Sequence, residues 1–129
     1  MTEPVILVIA AVIRRGHTYL ICRRPADKRH GGLWEFPGGK LIDGETPLQG
    51  AKRELREELA IEVTSAGDEL LTVRDPGSVF EIQFRTVEVH GEPIPLEHSQ
   101  IEWVRREDLL EYDLAPSDRR FAEQLAGGD

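Results

Sequence analysis

Apolar and polar positions along this chain follow patterns that predict a sheet and a few helices. The segment 5–13 is apolar and largely β-branched, which predicts a strand buried on both faces. Residues 14–17 are expected to form a tight turn, and residues 18–23 the hairpin partner of this strand. A short extended piece is expected at 33–37, and further strands where β-branched and aromatic residues alternate with polar ones, at 63–71, 79–89 and 101–104.

The clearest helical pattern begins at Thr46, which is placed as an N-cap before Pro47 at the first helical position, and runs to about Ala60. At 100° per residue one apolar stripe is expected to face the core, formed by Leu48, Ala51, Leu55 and Leu59. Shorter helices are predicted at 107–111 and from Ser117 to Leu125, with the residues beyond Gly127 fraying. Asp75-Pro76-Gly77 is typical of a turn.

This order of strands, one long helix, more strands and a terminal helix predicts one α+β domain over residues 1–129, with a mixed sheet clad by helices.

A net charge of −8 argues against binding to a nucleic acid polymer, which requires a basic surface. The single cysteine, Cys22, lies in an apolar stretch and is interpreted as core packing in a reducing compartment. The start, Met1–Pro4, lacks the basic region of a signal peptide, and no apolar run is long enough to span a bilayer, so a cytoplasmic location is expected.

Three carboxylates are crowded on the long helix, where Glu54, Glu57 and Glu58 occupy positions i, i+3 and i+4. Like charges at this spacing destabilise an isolated helix, and a divalent cation would reverse that effect. Carboxylate oxygens are the ligands that hard cations prefer, so the pattern indicates a site for Mg²⁺, with Mn²⁺ as the alternative. Taken alone, however, a Glu-rich stretch is also typical of a solvated helix surface.

The residues around these carboxylates indicate a family. From Gly39 the chain reads GKLIDGETPLQGAKRELREELAI, which resembles the Nudix box. The matching positions are Gly39, Glu45, Arg53, Glu54, Leu55, Glu57, Glu58 and Ile61. Ala60 departs from the pattern, because the family usually has glycine there, which permits a left-handed C-cap; alanine would adopt it at a cost of about 1 kcal/mol or take another turn geometry. The preceding segment, residues 34–40, and the stretch from Leu114 to Asp118 extend the resemblance to the MutT-like branch.

The resemblance implies an α/β/α sandwich and an enzyme that hydrolyses a nucleoside triphosphate to the monophosphate and pyrophosphate. In that branch the substrate is typically 8-oxo-dGTP, whose removal clears oxidised nucleotides from the precursor pool. The resemblance also implies a set of metal ligands: the Gly39 carbonyl, Glu54, Glu57, Glu58 and the loop residue Glu97. Glu97 could equally be a solvated loop residue.

The resemblance to the Nudix family also implies catalytic roles for residues of the box. Glu54 is the first choice as general base, with Glu45 and Glu97 as rivals, because the sequence does not distinguish a ligand carboxylate from a base. Arg53 is expected to orient the carboxylates by ion pairing and not to touch substrate.

Substrate-binding residues are expected on both sides of the box, at Arg24, Glu35, Phe36, Lys40 and Asp118. The guanidinium of Arg24 suits phosphate oxygens. Asp118 takes the place of a polar residue that contacts the base in MutT-like proteins, and an aspartate there would favour the exocyclic amine of cytosine. The alternative for Asp118 is a simple acid at a helix N-terminus.

Several functions remain open at this point. Beside an 8-oxo-dGTP diphosphatase, the sequence is compatible with a pyrophosphatase for CTP or modified dCTP. An ADP-ribose hydrolase is a third candidate, because Pro76 follows the box by fifteen residues as in that branch. A non-catalytic nucleotide-binding module is the fourth, although such a module is expected to lose box carboxylates. In every case the expected partner is a nucleotide, and the protein is expected to be a monomer or a weak dimer.

Overall fold

The computed structural model describes residues 5–74 and 76–127 of the 129-residue chain. The chain start, Met1–Pro4, the first residue of the expected turn, Asp75, and the last two residues lie outside the described residues. In chain order the elements are β1 (Ile6–Val12), β2 (Arg14–Arg15), β3 (Thr18–Arg23), β4 (Trp34–Glu35), β5 (Gly38–Lys40), α1 (Pro47–Leu59), β6 (Glu62–Val73), β7 (Phe80–His90), β8 (Gln100–Arg105), a 3₁₀ helix (Arg106–Glu111) and α2 (Pro116–Gly127).

The strands form two sheets. The first has the order β5-β1-β7-β6 and is mixed, because β1 runs parallel to β7 and antiparallel to β5. In the second, β3 is central and pairs antiparallel with β2, β4 and β8. The expected mixed sheet is therefore confirmed, and a second, antiparallel sheet accompanies it. The expectation that residues 18–23 pair with the first strand was wrong, because the short strand Arg14–Arg15 takes that place and β3 lies in the second sheet.

Helices cover both sides of the first sheet, as in the predicted α/β/α sandwich. Along β1, Ile9 and Ala11 face a core cluster built on Leu55 and Leu59 of α1. The alternate residues of β1, Ala10 and Val12, belong to a second cluster that also contains Phe121 of α2. A strand with helices on both sides must be apolar at every position, which explains why the later half of β1 shows no polar alternation.

Two expectations about burial were wrong in part. Val5 and Leu7 are 41% and 37% exposed, so the first strand is buried on both faces only from Ile9 onward. Leu48 is also exposed, because it lies in the first turn of α1, at the edge of the core, while Ala51, Leu55 and Leu59 are buried as predicted. Cys22 is fully buried, and burial raises the pKa of its thiol well above the usual value, as expected for core packing.

Helix α1 has well-defined caps at both ends. The Thr46 side chain accepts a hydrogen bond from the backbone N–H of Gln49, and the Gln49 side chain accepts one from the N–H of Thr46. At the other end Ala60 adopts the left-handed conformation, with φ 56° and ψ 34°. Ala60 therefore forms the left-handed cap that glycine forms in the family pattern, and this conformation of alanine lowers the stability of the fold by about 1 kcal/mol.

A distant segment completes the C-terminal end of α1. We call residues 94–99 the strap. The backbone N–H groups of Ile94 and Leu96 donate to the carbonyls of Leu59 and Glu58, at 2.9 and 3.0 Å. These carbonyls belong to the last turn, which has no partners within the helix. Farther along, the N–H of Ser99 donates to the carbonyl of Arg23, at the end of β3.

Within the described residues, no helix is long and apolar enough to cross a membrane.

Candidate active site

The candidate site is a cleft of about 490 Å³ between α1, the strap and the end of β3. Its charged walls include Glu54 and Glu58 from α1, Glu97 and His98 from the strap, and Arg24 from the chain after β3. The other lining residues are Pro25, Lys28, Glu35 and Gly38. The cleft therefore brings acidic and basic side chains to one opening.

Glu58 forms the most buried part of this wall. Its side chain is 6% exposed, and its Oε1 atom has no hydrogen-bond partner among the described residues. Burial, followed by the nearby Glu54 carboxylate and then Glu35, raises the pKa of Glu58 to about 9. Without a cation, Glu58 is therefore protonated at neutral pH.

Two glycines of β5 allow the helix to approach the sheet. A Cβ atom at residue 39 would come within 2.5 Å of the Glu54 carboxylate, which would have to move away from the strand. At residue 38 an added Cβ would collide with the carbonyl of Ile9. Close packing at these glycines brings the backbone of residue 39 against Glu54, as the proposed ligand set requires.

Arg53 connects the start of the box to its centre. Its guanidinium holds Glu45 with two parallel hydrogen bonds of 2.9 Å and donates to Glu54 at 2.7 Å. The guanidinium also donates a hydrogen bond to the backbone carbonyl of Lys40. The hydrogen bonds from Arg53 are the main reason that the pKa of Glu45 falls to about 2, and Glu45 raises the pKa of Arg53 in turn.

The predicted metal ligands are only partly brought together. Glu54 and Glu58 line the cleft beside Gly39, and Glu97 is exposed at its rim. Glu57 is different, because it is not among the residues that line the cleft: its side chain is 54% exposed and lies 3.8 Å from Arg53. Among residues 5–74 and 76–127, no three His, Cys, Asp or Glu side chains are grouped closely enough to hold a metal ion.

The donors nevertheless fit a hard divalent cation. Glu54 and Glu58 are crowded carboxylates, and the buried Glu58 Oε1 lacks a partner. Mg²⁺ is usually held by one or two carboxylates together with water and substrate phosphates, so a pair of carboxylates at an open cleft is sufficient. The chemistry of these groups is therefore compatible with the expected cofactor.

The predicted substrate residues divide between the cleft and its surroundings. Arg24 donates to Glu35 at 3.2 Å, and both line the cleft. Phe36 is buried in an aromatic cluster with Phe84 and Phe121, so its ring belongs to the core. Lys40 is exposed, with its Nζ atom 5.2 Å from the centre of the Phe80 ring.

Asp118 lies in the first turn of α2, where it is buried. Its Oδ1 atom accepts a hydrogen bond of 2.9 Å from the backbone N–H of Phe36. Burial is the main cause that raises the pKa of Asp118 to about 8, so the group is mostly neutral at pH 7. A neutral carboxyl both donates and accepts a hydrogen bond.

A second cavity of about 240 Å³ adjoins this region. Its walls are partly apolar, from Val8, Phe80 and Ile82, and partly polar, from Arg29, His30 and Ser117. Arg24 lines this cavity as well as the acidic cleft. The Arg24 guanidinium therefore lies between the acidic cleft and the smaller, more apolar cavity.

Sequence reasoning missed two features of the site. One is this second cavity, whose walls come from segments far apart in the chain. The other is His98, which is buried in the cleft wall and hydrogen-bonded to Glu35. Only its position directly after Glu97 could have indicated His98 from the sequence. The sequence separations from His98 to Glu35 and to Glu58 do not predict that these residues are in contact.

Comparison with known proteins gives a consistent result. A family model described as the NUDIX domain matches residues 4–125. The chain is 37% identical to the CTP pyrophosphohydrolase of Escherichia coli over 119 residues, covering 86% of this chain and 84% of the relative. It is 32% identical to the 8-oxo-dGTP diphosphatase of E. coli over 121 residues, covering 92% and 94%. A crystal structure of MutT NUDIX hydrolase from Burkholderia pseudomallei superposes with a TM-score of 0.81 at 28% identity, covering 95% and 98% of the two chains.

Proposed function

This chain belongs to the NUDIX family of hydrolases, and from that premise we propose that it is a metal-dependent nucleoside triphosphate pyrophosphohydrolase. The products would be a nucleoside monophosphate and pyrophosphate. The observation that supports this function best is that the Glu54 and Glu58 carboxylates line the same cleft as the Arg24 guanidinium. Such a cleft offers anions for a divalent cation and a cation for phosphate oxygens.

The two cavities suggest how a nucleotide would lie. Its phosphates would occupy the acidic cleft, and its base would occupy the smaller cavity beside Ser117. Arg24, which lines both, would contact the phosphate nearest the nucleoside. Asp118 would then act at the inner end of the base site, next to the backbone of Phe36.

Glu54, Glu58 and the carbonyl of Gly39 would hold the cation, with Glu97 and Glu57 joining from the rim if they turn inward. The bound cation would polarise a phosphoryl oxygen and offset the negative charge that develops during hydrolysis. Glu54 remains our first choice as the base that accepts a proton from the attacking water. Glu45 is a weaker candidate, because its pKa is about 2 and Arg53 occupies both of its oxygens.

We expect 8-oxo-dGTP to be the first substrate, as the name of the E. coli 8-oxo-dGTP diphosphatase indicates for that relative. CTP or 5-methyl-dCTP is a second candidate, supported by the similarity to a CTP pyrophosphohydrolase. A neutral carboxyl complements both bases, because each presents one donor and one acceptor: N7–H and O6 in 8-oxoguanine, the N4 amine and N3 in cytosine.

The test is pyrophosphate release from 8-oxo-dGTP, dGTP, CTP, 5-methyl-dCTP and ADP-ribose, with Mg²⁺ and with a chelator. Glu54→Gln is expected to abolish metal-dependent release, while Glu123→Gln, on the exposed face of α2, serves as the matched control. Preference for a cytidine nucleotide would select the second candidate, and turnover of ADP-ribose alone would replace both. If nothing in the panel is hydrolysed, the proposal fails in favour of a nucleotide-binding module.

A further inference from the structure

His98 occupies a position between two acidic side chains of the cleft wall. Its side chain is only 6% exposed. The Nε2 atom lies 2.9 Å from Oε2 of Glu35, which is a good hydrogen-bond distance. On the opposite edge of the ring, Nδ1 lies 3.9 Å from Oε1 of Glu58, which is too far for a hydrogen bond. His98 Nδ1 and Glu58 Oε1 are both buried, and within the described residues neither atom has a hydrogen-bond partner.

The backbone around His98 is anchored on both sides. Before it, the N–H of Leu96 donates to the carbonyl of Glu58, and after it, the N–H of Ser99 donates to the carbonyl of Arg23. The strap therefore ties His98 to the last turn of α1 and to the end of β3. Because both anchors are backbone hydrogen bonds to regular elements, they fix the backbone from which the imidazole ring reaches Glu35.

The residue that His98 contacts is itself engaged with the proposed phosphate-binding arginine. Arg24 donates through Nη1 to Glu35, at 3.2 and 3.4 Å, and through Nε to the carbonyl of Arg29, at 2.6 Å. A continuous chain of hydrogen bonds thus runs from His98 through Glu35 to Arg24. Without the imidazole N–H, the Glu35 carboxylate would lose one of the two side-chain partners that it has in the described part of the chain, and it could rotate away from Arg24.

We infer that His98 is a positioning residue that holds Glu35, and through it Arg24, in the orientation that receives the nucleotide. This inference rests on the proposed function, because it assigns Arg24 to the substrate. His98 acts through Glu35 and does not touch the reacting atoms. Its loss should therefore weaken substrate binding more than it slows the chemical step.

A pair of substitutions distinguishes the roles of the two ring nitrogens of His98. Glutamine carries its amide nitrogen at about the reach of Nε2, whereas asparagine places its amide nitrogen at about the position of Nδ1. With the triphosphate that the wild type turns over fastest, His98→Asn is expected to raise KM about tenfold and to change kcat less than twofold. His98→Gln should restore KM to within threefold of wild type. Equal KM values in all three proteins, or a fall in kcat at constant KM, would overturn the inference.

A measurement without turnover tests the hydrogen bond itself. Long-range ¹H–¹⁵N correlation spectra of the imidazoles should show His98 protonated at Nε2, with a proton that exchanges slowly. Glu35→Gln should shift these resonances and leave those of the exposed His17 unchanged. Protonation at Nδ1 alone, or spectra that do not respond to Glu35→Gln, would contradict the inference. If the wild type hydrolyses no nucleotide, the proposed function fails, and the contact between His98 and Glu35 is still decided by these spectra.

Discussion

The backbone N–H of Phe36 donates a hydrogen bond of 2.9 Å to the Asp118 carboxyl, and this contact joins α2 to the segment between β4 and β5. The two residues are 82 positions apart in the chain. An acid buried in this way should be recognisable from the pH dependence of stability.

For Asp118→Asn we expect a stability advantage that increases with pH. The pKa of Asp118 is about 8 in the folded protein and about 4 when unfolded, so the folded state binds more protons between these values. The free energy of unfolding contributed by Asp118 therefore falls as pH rises from about 4 to about 8. Asparagine keeps an acceptor for the Phe36 N–H and does not titrate.

The measurement is urea unfolding of both proteins from pH 4 to 9. The advantage of Asp118→Asn should reach about 1–3 kcal/mol at pH 8. Asp43→Asn, at an exposed loop position, is the control and should follow the wild type. A constant difference across this pH range would show that Asp118 is ionised in the folded protein.

Glu58→Gln is expected to stabilise the protein and inactivate it. Burial next to Glu54 raises the pKa of Glu58 to about 9, so in the metal-free protein this side chain lowers stability as pH rises from about 4.5 to about 9. Glutamine removes that penalty, which is about 1–3 kcal/mol at pH 7.5, and also removes a proposed cation ligand. Unfolding in the presence of chelator should show the gain. Pyrophosphate release with Mg²⁺ should fall on the order of 100-fold or more.

Arg53→Lys is expected to lower kcat about 10–100-fold with little change in KM. One ammonium group cannot replace two parallel hydrogen bonds to Glu45 together with the contact to Glu54. Steady-state kinetics of Arg56→Lys, an exposed position on the same helix, provide the comparison. Equal effects of the two substitutions would argue against orientation of Glu54 by Arg53.

Ala60→Gly should stabilise the protein by about 0.5–1 kcal/mol, because Ala60 has a φ of 56° that glycine adopts without steric cost. For a domain of this size the corresponding rise in Tm is about 2–4 °C. Ala126→Gly, in the last turn of α2, should have the opposite sign, since alanine is the better helix former there. A decrease in Tm for Ala60→Gly would mean that unfolded-chain entropy outweighs the relief of strain.

The sequence predicted those parts of the fold that depend on local periodicity. The helix from Pro47 and the strands around Phe84 followed from repeats of 3.6 and 2 residues, and the cap at Thr46 followed from local backbone chemistry. The sequence left the backbone geometry at Ala60 open between a left-handed cap and another turn. Leu48 was placed wrongly, because an apolar stripe does not show where the core ends. His98 was missed, because its neighbours Glu35 and Glu58 approach it through contacts of the strap that no spacing encodes.

The parallel pairing of β1 with β7 has a consequence for how the protein folds. Ile9 is paired with Gln83, so this contact closes a loop of more than seventy residues before it contributes any stability. Helix α1 can form from local contacts alone, whereas the strap reaches it through a hydrogen bond that spans about 35 residues, from Ile94 to Leu59. During folding, the acidic helix would therefore exist for a time without the wall that carries Glu97 and His98. An inhibitor of the folded cleft should not recognise the protein before these long loops have closed.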